Sequence, residues 1–408
     1  MDFPMVGESG VFQEGQASGP LIGHKASGIG HNKRVDKSKI PDLADFDANA
    51  MLKDLESLVS TESPSRDVEA LEKSAAVLDQ ILEHRLGHAS TIVSSSAGPH
   101  VWWQGGGKPR VLIVGHHDTV FPLGTLAERP FQIKGTTATG PGIFDMKAGI
   151  VQAIHAVASL EDHSGIEILI TADEEVGSGT SRQMIEQRAQ LCGAVLVLEP
   201  SADGGALKTA RKGTGAFEIV IKGRAAHAGL EPEKGVNALV EAAAQILQIN
   251  TLGAPELGTT VTPTLAQVGT ADNVVPALAR LVVDVRVVEE NERLRIDTAM
   301  RSLKPFHPEV TVEIYGGINR PPMPPSSSAW LFPLACEVAE SSGLRQLVGV
   351  AVGGGSDGNF TAAAGVATLD GLGAVGGGAH ADHEWVDISV MPERSLLLAG
   401  LIARLQSR

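Results

Sequence analysis

The sequence predicts an α/β protein with a mixed, mostly parallel sheet, interrupted by an inserted ferredoxin-like α+β unit. Three observations carry that prediction. Mainly apolar runs at Val111–Val114, Ile166–Thr171 and Ala194–Leu198 read as buried parallel strands. Each run leads into a carboxylate or an imidazole: His116, the triplet Asp173-Glu174-Glu175, and Glu199. Residues 217–315 then read strand, helix, strand, strand, helix, strand, which is the split βαβ order.

With 408 residues, two domains are the natural expectation. The boundaries fall at 1–40 for a flexible extension, 41–212 and 320–408 for a two-part catalytic domain, and 213–319 for the insertion. A net charge of -15 with no basic patch speaks against nucleic acid. No stretch reaches the ~18 consecutive apolar residues of a membrane span. No basic region precedes an apolar core at the N-terminus, so no secretory signal is expected. Two cysteines, Cys192 and Cys336, lack metal-ligand spacing and read as buried thiols of a reducing compartment, hence a cytoplasmic protein.

In chain order, the apolar spacing predicts helices over Asp45–Ser60 and Val68–Leu86. The central strand follows, then Gly140-Pro141-Gly142-Ile143-Phe144-Asp145, and a helical pattern from Met146 to Leu160. Asp145 is therefore placed at or beside a helix N-terminus, where a plain cap is the ordinary reading. Inside the insertion, helices are expected at Val236–Ile249 and Glu290–Leu303. Trp330–Ser342 and Ser389–Leu405 read as helices, with short strands at Leu347–Val352 and Gly365–Leu369. The glycine loops lack a P-loop lysine, so nucleotide binding is not expected.

Parallel neighbouring strands would bring His116, Glu175 and Glu199 to one crevice at their carboxyl ends. Taken with Asp145 and His380 they form an all-N/O donor set suited to zinc, manganese or cobalt. Taken singly, an acidic triplet is usually a solvated turn and a His-x-Asp at a strand end a polar contact. Taken together, their charge is informative. Three carboxylates and two neutral imidazoles carry -3, so two divalent ions and a bridging hydroxide bring the sum to zero. That favours a dinuclear site in which one carboxylate bridges. Neighbouring carboxylates in the triplet allow one to ligate while another moves protons.

The segments GHHDTV (115–120), GPGIFDMKAG (140–149), TADEEVGS (171–178), LVLEPS (196–201), GRAAHAG (223–229) and GGAHADHEWVDIS (377–389) together resemble the M20 family of dinuclear metallopeptidases, in its glutamate carboxypeptidase branch. The resemblance runs from about residue 45 to the C-terminus. It implies a phosphorylase/hydrolase-like catalytic domain and an inserted dimerisation, or lid, domain. It implies that His116 and Glu199 hold one metal, Glu175 and His380 the other, and that Asp145 bridges. Glu174 would be general base and acid, and Asp118 would orient His116. His117 would be a bystander or a wall of the site. His227 would stabilise the oxyanion, while Asn273, Arg286, Gly354, Gly355 and Ser356 would bind substrate. Met146 departs from the pattern, since relatives often carry an acidic residue there.

The implied protein is a homodimeric, two-zinc amidohydrolase. By attack of hydroxide generated at the metals it would cleave the amide bond of N-acyl or aminoacyl amino acids, releasing glutamate or aspartate. Aminoacylase, dipeptidase and desuccinylase activities are the alternatives on the same metal residues. A non-catalytic binding protein would be expected to have lost a ligand or Glu174, and none is missing.

Overall fold

The computed structural model describes residues 40–408. The extension expected over residues 1–40 lies, except for Ile40, outside the described residues. A six-stranded mixed sheet organises the molecule, with spatial order Thr91–Val93, His100–Gln104, Ile166–Thr171, Val111–His116, Ala194–Val197, Thr368–Leu369. The last four strands are mutually parallel and the first two run antiparallel. Val111–His116 lies between its two parallel partners, with His116 opposite Thr171 and Val114 opposite Val197. That register aligns the carboxyl ends, so the residues following all three strands share one edge.

The continuous apolar run is explained by cover on both faces. Val111 and Ile113 face a core built by helices Ala48–Val59, Val68–Leu86, Ala148–Ala158 and Met391–Gln406. Leu112 and Val114 face a smaller core with Ile185, Ala189 and Phe360 from helices Arg182–Leu191 and Gly358–Ala363. Asp47 and Asp67 cap the first two helices by accepting from their first-turn N–H groups. Gly87, at φ +87°, ends the second in the left-handed conformation that costs glycine least. Trp103 is buried and stacks on His88 at a centroid distance of 5.0 Å, a packing role.

The helix expected from Met146 begins later, at Ala148. Residues 143–147 form an irregular turn in which Asp145 has φ -113° and ψ 90°. Asp145 is thus not a helix cap; its side chain is aimed by a non-helical segment.

A second, antiparallel sheet runs Thr260–Val268, Leu278–Val287, Gly213–Lys222, Thr311–Arg320. Helices Ala238–Asn250 and Glu290–Arg301 cover one face, giving the β-α-β-β-α-β order and a core of its own, including Phe217, Ile219, Leu281, Val283 and Ile296. It is tied directly to the first sheet. Asn319 Nδ2 donates to the Gly177 carbonyl at 2.7 Å, and Arg182 Nη1 to the Asn319 carbonyl at 3.2 Å. Among the described residues no helix is long and apolar enough to cross a membrane.

One mostly buried polar contact ties three helices together. Asp54 accepts from Arg85 Nε at 2.8 Å and lies 2.8 Å from His155 Nε2. Burial opposes ionisation, but these two partners outweigh it and hold the Asp54 carboxyl below its ordinary range. Such a group stabilises the fold above the unfolded aspartate pKa, and that stabilisation is lost as pH falls through the depressed value. Asp54→Asn should therefore cost about 2 kcal/mol near neutral pH. Denaturation of the two proteins should converge as pH falls below the depressed Asp54 value. An unchanged Tm at neutral pH would refute the role.

Candidate metal centre

Five predicted ligands meet at the carboxyl edge of the first sheet. They form two triads that share one residue: His116, Asp145 and Glu199, and Asp145, Glu175 and His380, the ligand atoms of each lying within 4.8 Å of one another. His116 Nε2 stands 3.2 Å from Asp145 Oδ1 and 3.8 Å from Glu199 Oε1. His380 Nε2 stands 3.4 Å from Asp145 Oδ2 and 3.1 Å from Glu175. The two oxygens of Asp145 therefore face different imidazoles. Donors about 2 Å from a tetrahedral ion sit roughly 3.3 Å apart, which is the spacing found here, and no thiolate is present. The residues fit a pair of divalent ions bridged by Asp145.

The electrostatics agree. Burial disfavours a charged His116, yet hydrogen bonds to Asp118 and Asp145 raise its pKa well above the ordinary value. Contacts with Asp145 and Glu175 raise His380 to about 10. Burial, reinforced by Asp145, pushes Glu199 up to about 7. Buried carboxylates this close repel one another, and the imidazoles hold protons where cations would otherwise sit.

Glu174, next to a ligand in the turn Glu174–Val176, is held by Arg320. Arg320 Nη2 donates to Glu174 Oε1 at 2.6 Å, to its carbonyl at 3.0 Å and to Ser178 Oγ at 3.0 Å, and lies 3.3 Å from Asp357 Oδ1. Burial raises the Glu174 pKa well above its ordinary value, against the pull of Arg320. On the other side, Arg211 makes a bidentate pair with Asp370 at 2.7 and 2.8 Å and reaches Glu199 Oε2 at 3.4 Å.

Asp118 bears on both His116 and the acidic turn. His116 Nδ1 lies 2.9 Å from the Asp118 carbonyl and 3.5 Å from its carboxylate. The carboxylate itself accepts from the backbone N–H of Glu174 and Glu175 at 3.2 and 3.3 Å and from Ser65 Oγ at 2.7 Å. It fixes the acidic turn as much as the imidazole. His117 points away, between Ser74 Oγ and the Pro99 carbonyl, and burial lowers it to about 4, so it is neutral. Met146 is buried; its sulfur accepts from the His116 N–H at 3.3 Å.

None of the remaining predicted residues contributes to the two triads, though Gly354 and Gly355 pack against Arg211 and Arg320. His227 is exposed and accepts from the N–H groups of Gly229 and Leu230 through Nδ1. Asn273 pairs beside it, accepting from the Ala228 N–H at 2.9 Å. Arg286 is paired with Asp284 on its own strand at 2.8 Å. Gly354 and Gly355 turn their carbonyls to Arg211 at 3.1 and 3.3 Å. The Ser356 hydroxyl is buried against Asp370 at 2.6 Å.

Sequence reading passed over Arg211, Arg320, Asp357, Asp370 and Glu384. Glu384 accepts from the N–H groups of Gly142, Phe144 and Asp145 at 2.8–2.9 Å, anchoring the turn that aims the shared carboxylate. It lies in the same HADHEW stretch as His380, the one signal that could have flagged it. The arginines follow or end ordinary strand patterns and carry no local mark.

Comparison with known proteins accords with this geometry. The profile of peptidase family M20/M25/M40 matches residues 112–404. Carboxypeptidase G2 of Pseudomonas sp. (strain RS-16) is 34% identical over 372 residues, 86% of this chain and 88% of that one. Succinyl-diaminopimelate desuccinylase of Caulobacter vibrioides (strain NA1000 / CB15N) is 31% identical over 203 residues, 45% of this chain and 52% of that one. The M20 family metallo-carboxypeptidase Sso-CP2 of Sulfolobus solfataricus shares the fold, with TM-score 0.69 at 17% identity over 88% of this chain and 99% of that one. The profile and the long carboxypeptidase match agree with the cluster at the sheet edge: the chain belongs to peptidase family M20/M25/M40 and is a metallopeptidase.

Proposed function

We propose that the protein hydrolyses the amide bond of N-acyl or aminoacyl amino acids and releases a C-terminal glutamate or aspartate, using two divalent ions, zinc foremost. The observation that carries this is the pair of ligand triads sharing Asp145, with the Glu174 carboxylate beside them. His116 and Glu199 would hold one ion, Glu175 and His380 the other. Bound there, such ions supply Lewis acidity toward a scissile carbonyl and lower the pKa of water. Glu174 takes the proton of the attacking water and returns it to the leaving nitrogen. Arg320 fixes its carboxylate in position. His227 would be the oxyanion donor once residues 213–319 close over the substrate: Nδ1 accepts two backbone N–H groups, which leaves Nε2, without a partner among the described residues, as the donor. Asn273, Arg286 and the Gly354–Ser356 loop complete the proposed substrate-binding set.

The long match to carboxypeptidase G2 supports a carboxypeptidase. We take residues 213–319 as an inserted domain joining two copies of the chain. Helix Ala238–Asn250 exposes Leu239, Val240 and Leu247, and Thr260–Val268 is an edge strand, which supports that homodimer. The two free cysteines support a cytoplasmic setting. The desuccinylase match favours a second reading, N-succinyl amino acids, on the same metal residues.

Amino-acid release from a panel of N-acyl amino acids and dipeptides, with and without chelator, tests the proposal. Chelator-sensitive release of glutamate or aspartate is expected. Release of neutral amino acids alone would reassign it to an aminoacylase or dipeptidase, and turnover of N-succinyl conjugates alone to a desuccinylase. Glu174→Ala should keep its metal content yet lose roughly three or more orders of magnitude in kcat; near-wild-type turnover would sink the mechanism. Metal added to chelator-stripped protein near pH 8 should release protons, since His380 at about 10 holds one and His116 is shifted in the same direction. Apparent metal affinity should then rise with pH, since protons compete for the imidazoles. Calorimetry in buffers of different ionisation enthalpy measures the release, and its absence would refute the ligand assignment.

A further inference from the structure

An open groove of about 590 Å³ begins at the ligand Glu175 and is lined by Pro64, Ser65, Arg66, Asp67, Thr119, Val120, Pro122, Leu123, Glu175 and Val176. Three segments build it: the turn before helix Val68–Leu86, the loop after the central strand, and the acidic turn itself. Val120, Leu123 and Val176 are large apolar side chains left 42%, 56% and 38% exposed around this one feature. Leaving three such side chains open to water beside a reactive centre costs solubility and folding free energy, and suggests a recognition surface.

Arg66 gives the groove its chemistry. Its guanidinium is exposed and has no ion pair or hydrogen bond among the described residues. Its backbone φ is +73°. Only three non-glycine described residues adopt a left-handed φ; the other two are Ser178, bonded to Arg320 and Asp357, and His380, a ligand. Backbone strain of this kind tends to gather at functional sites. The strained conformation here presents a cation, without an ion pair among the described residues, between the polar residues Ser65 and Asp67 and across from the apolar Val120, Leu123 and Val176.

We propose that this groove is the subsite for the acyl half of the substrate, selecting a flat or extended apolar acyl group with an anionic substituent at its far end, met by Arg66. The proposal rests on the amidohydrolase reading above and names the substrate class of that same site. The assignment to the acyl half follows from charge. A released amino acid carries its carboxylate next to the scissile nitrogen, and the cations packed nearest the metal ligands, Arg211 and Arg320, stand on Glu199 and Glu174 rather than in the groove. The groove offers apolar patches and one arginine, and its two acidic residues are committed elsewhere, Glu175 beside His380 and Asp67 as the cap of helix Val68–Leu86. An acyl chain leaving the scissile carbonyl along Glu175 and Val176 would bury its body on Val120 and Leu123.

The test holds the released amino acid constant and varies the acyl group on the metal-loaded full chain. The amides compared are N-acetyl, N-benzoyl, N-(4-carboxybenzoyl) and N-(4-trimethylammoniobenzoyl), and ratios of kcat/KM are read within each variant. Wild type should prefer the carboxybenzoyl over the trimethylammonio substrate, and Arg66→Glu should reverse that ratio by about tenfold overall, less at high salt. Leu123→Ser should lower the benzoyl-to-acetyl ratio roughly five- to tenfold. Arg66→Gly, which removes the charge and relieves the left-handed φ, should abolish the charge preference whether or not the protein gains stability. Hydrolysis with ratios unchanged in all three variants would overturn the groove assignment and leave the amidohydrolase reading standing. Failure to hydrolyse any N-acyl amino acid would overturn that reading, and the subsite with it.

Discussion

The centre depends on a single carboxylate facing two ways. Asp145 puts one oxygen toward His116 and the other toward His380, side chains separated by 264 positions in the chain. Neither triad is complete without it. Its direction is set by an irregular turn, not a helix, and that turn is clamped from behind by Glu384, whose carboxylate takes the backbone N–H groups of Gly142, Phe144 and Asp145. A displaced turn would unmake both halves of the site at once. This explains the glycines before it: a Cβ at Gly142, already at φ +70°, would stand 2.4 Å from Thr119 Cγ2.

A second constraint is charge. Five carboxylates, Asp118, Asp145, Glu174, Glu175 and Glu199, crowd one edge of a buried sheet. Burial and mutual repulsion raise the Glu174 and Glu199 pKa values, while the facing imidazoles hold Asp118 and Asp145 low. Two buried arginines offset part of this. Arg211 and Arg320 are each paired with an aspartate, Asp370 and Asp357, so each brings a neutral pair whose positive end is turned to a site carboxylate. Such pairs are a poor source of stability, since desolvation consumes most of their Coulomb energy. Their value lies in position: Arg320 closes the last strand of the second sheet onto the acidic turn, so the general-base candidate is held jointly by both parts of the fold.

How much could be read in advance varied with distance along the chain. The parallel strands and their polar ends were legible because each is a local pattern of four to six residues, and the shared edge follows from the register of three neighbours. The acidic triplet and the Gly-Pro-Gly approach were legible for the same reason. The helix after Asp145 was placed two residues early, at Met146, because helical spacing continues unbroken through it, while the turn that precedes Ala148 is anchored by Glu384 from far away.

By itself, then, the sequence determined the class of fold, the identity of the five ligand candidates and the chemistry their donor atoms allow. These are properties of residue type and short-range periodicity. Only the tertiary structure decided which oxygen faces which imidazole, which arginines bear on Glu174 and Glu199, that the Asp118 carboxylate fixes the acidic turn, and that an apolar groove with an unpaired arginine opens beside Glu175. Each of these joins segments tens to hundreds of residues apart. Their partners are chosen by the packing of whole elements, and no local pattern records that choice.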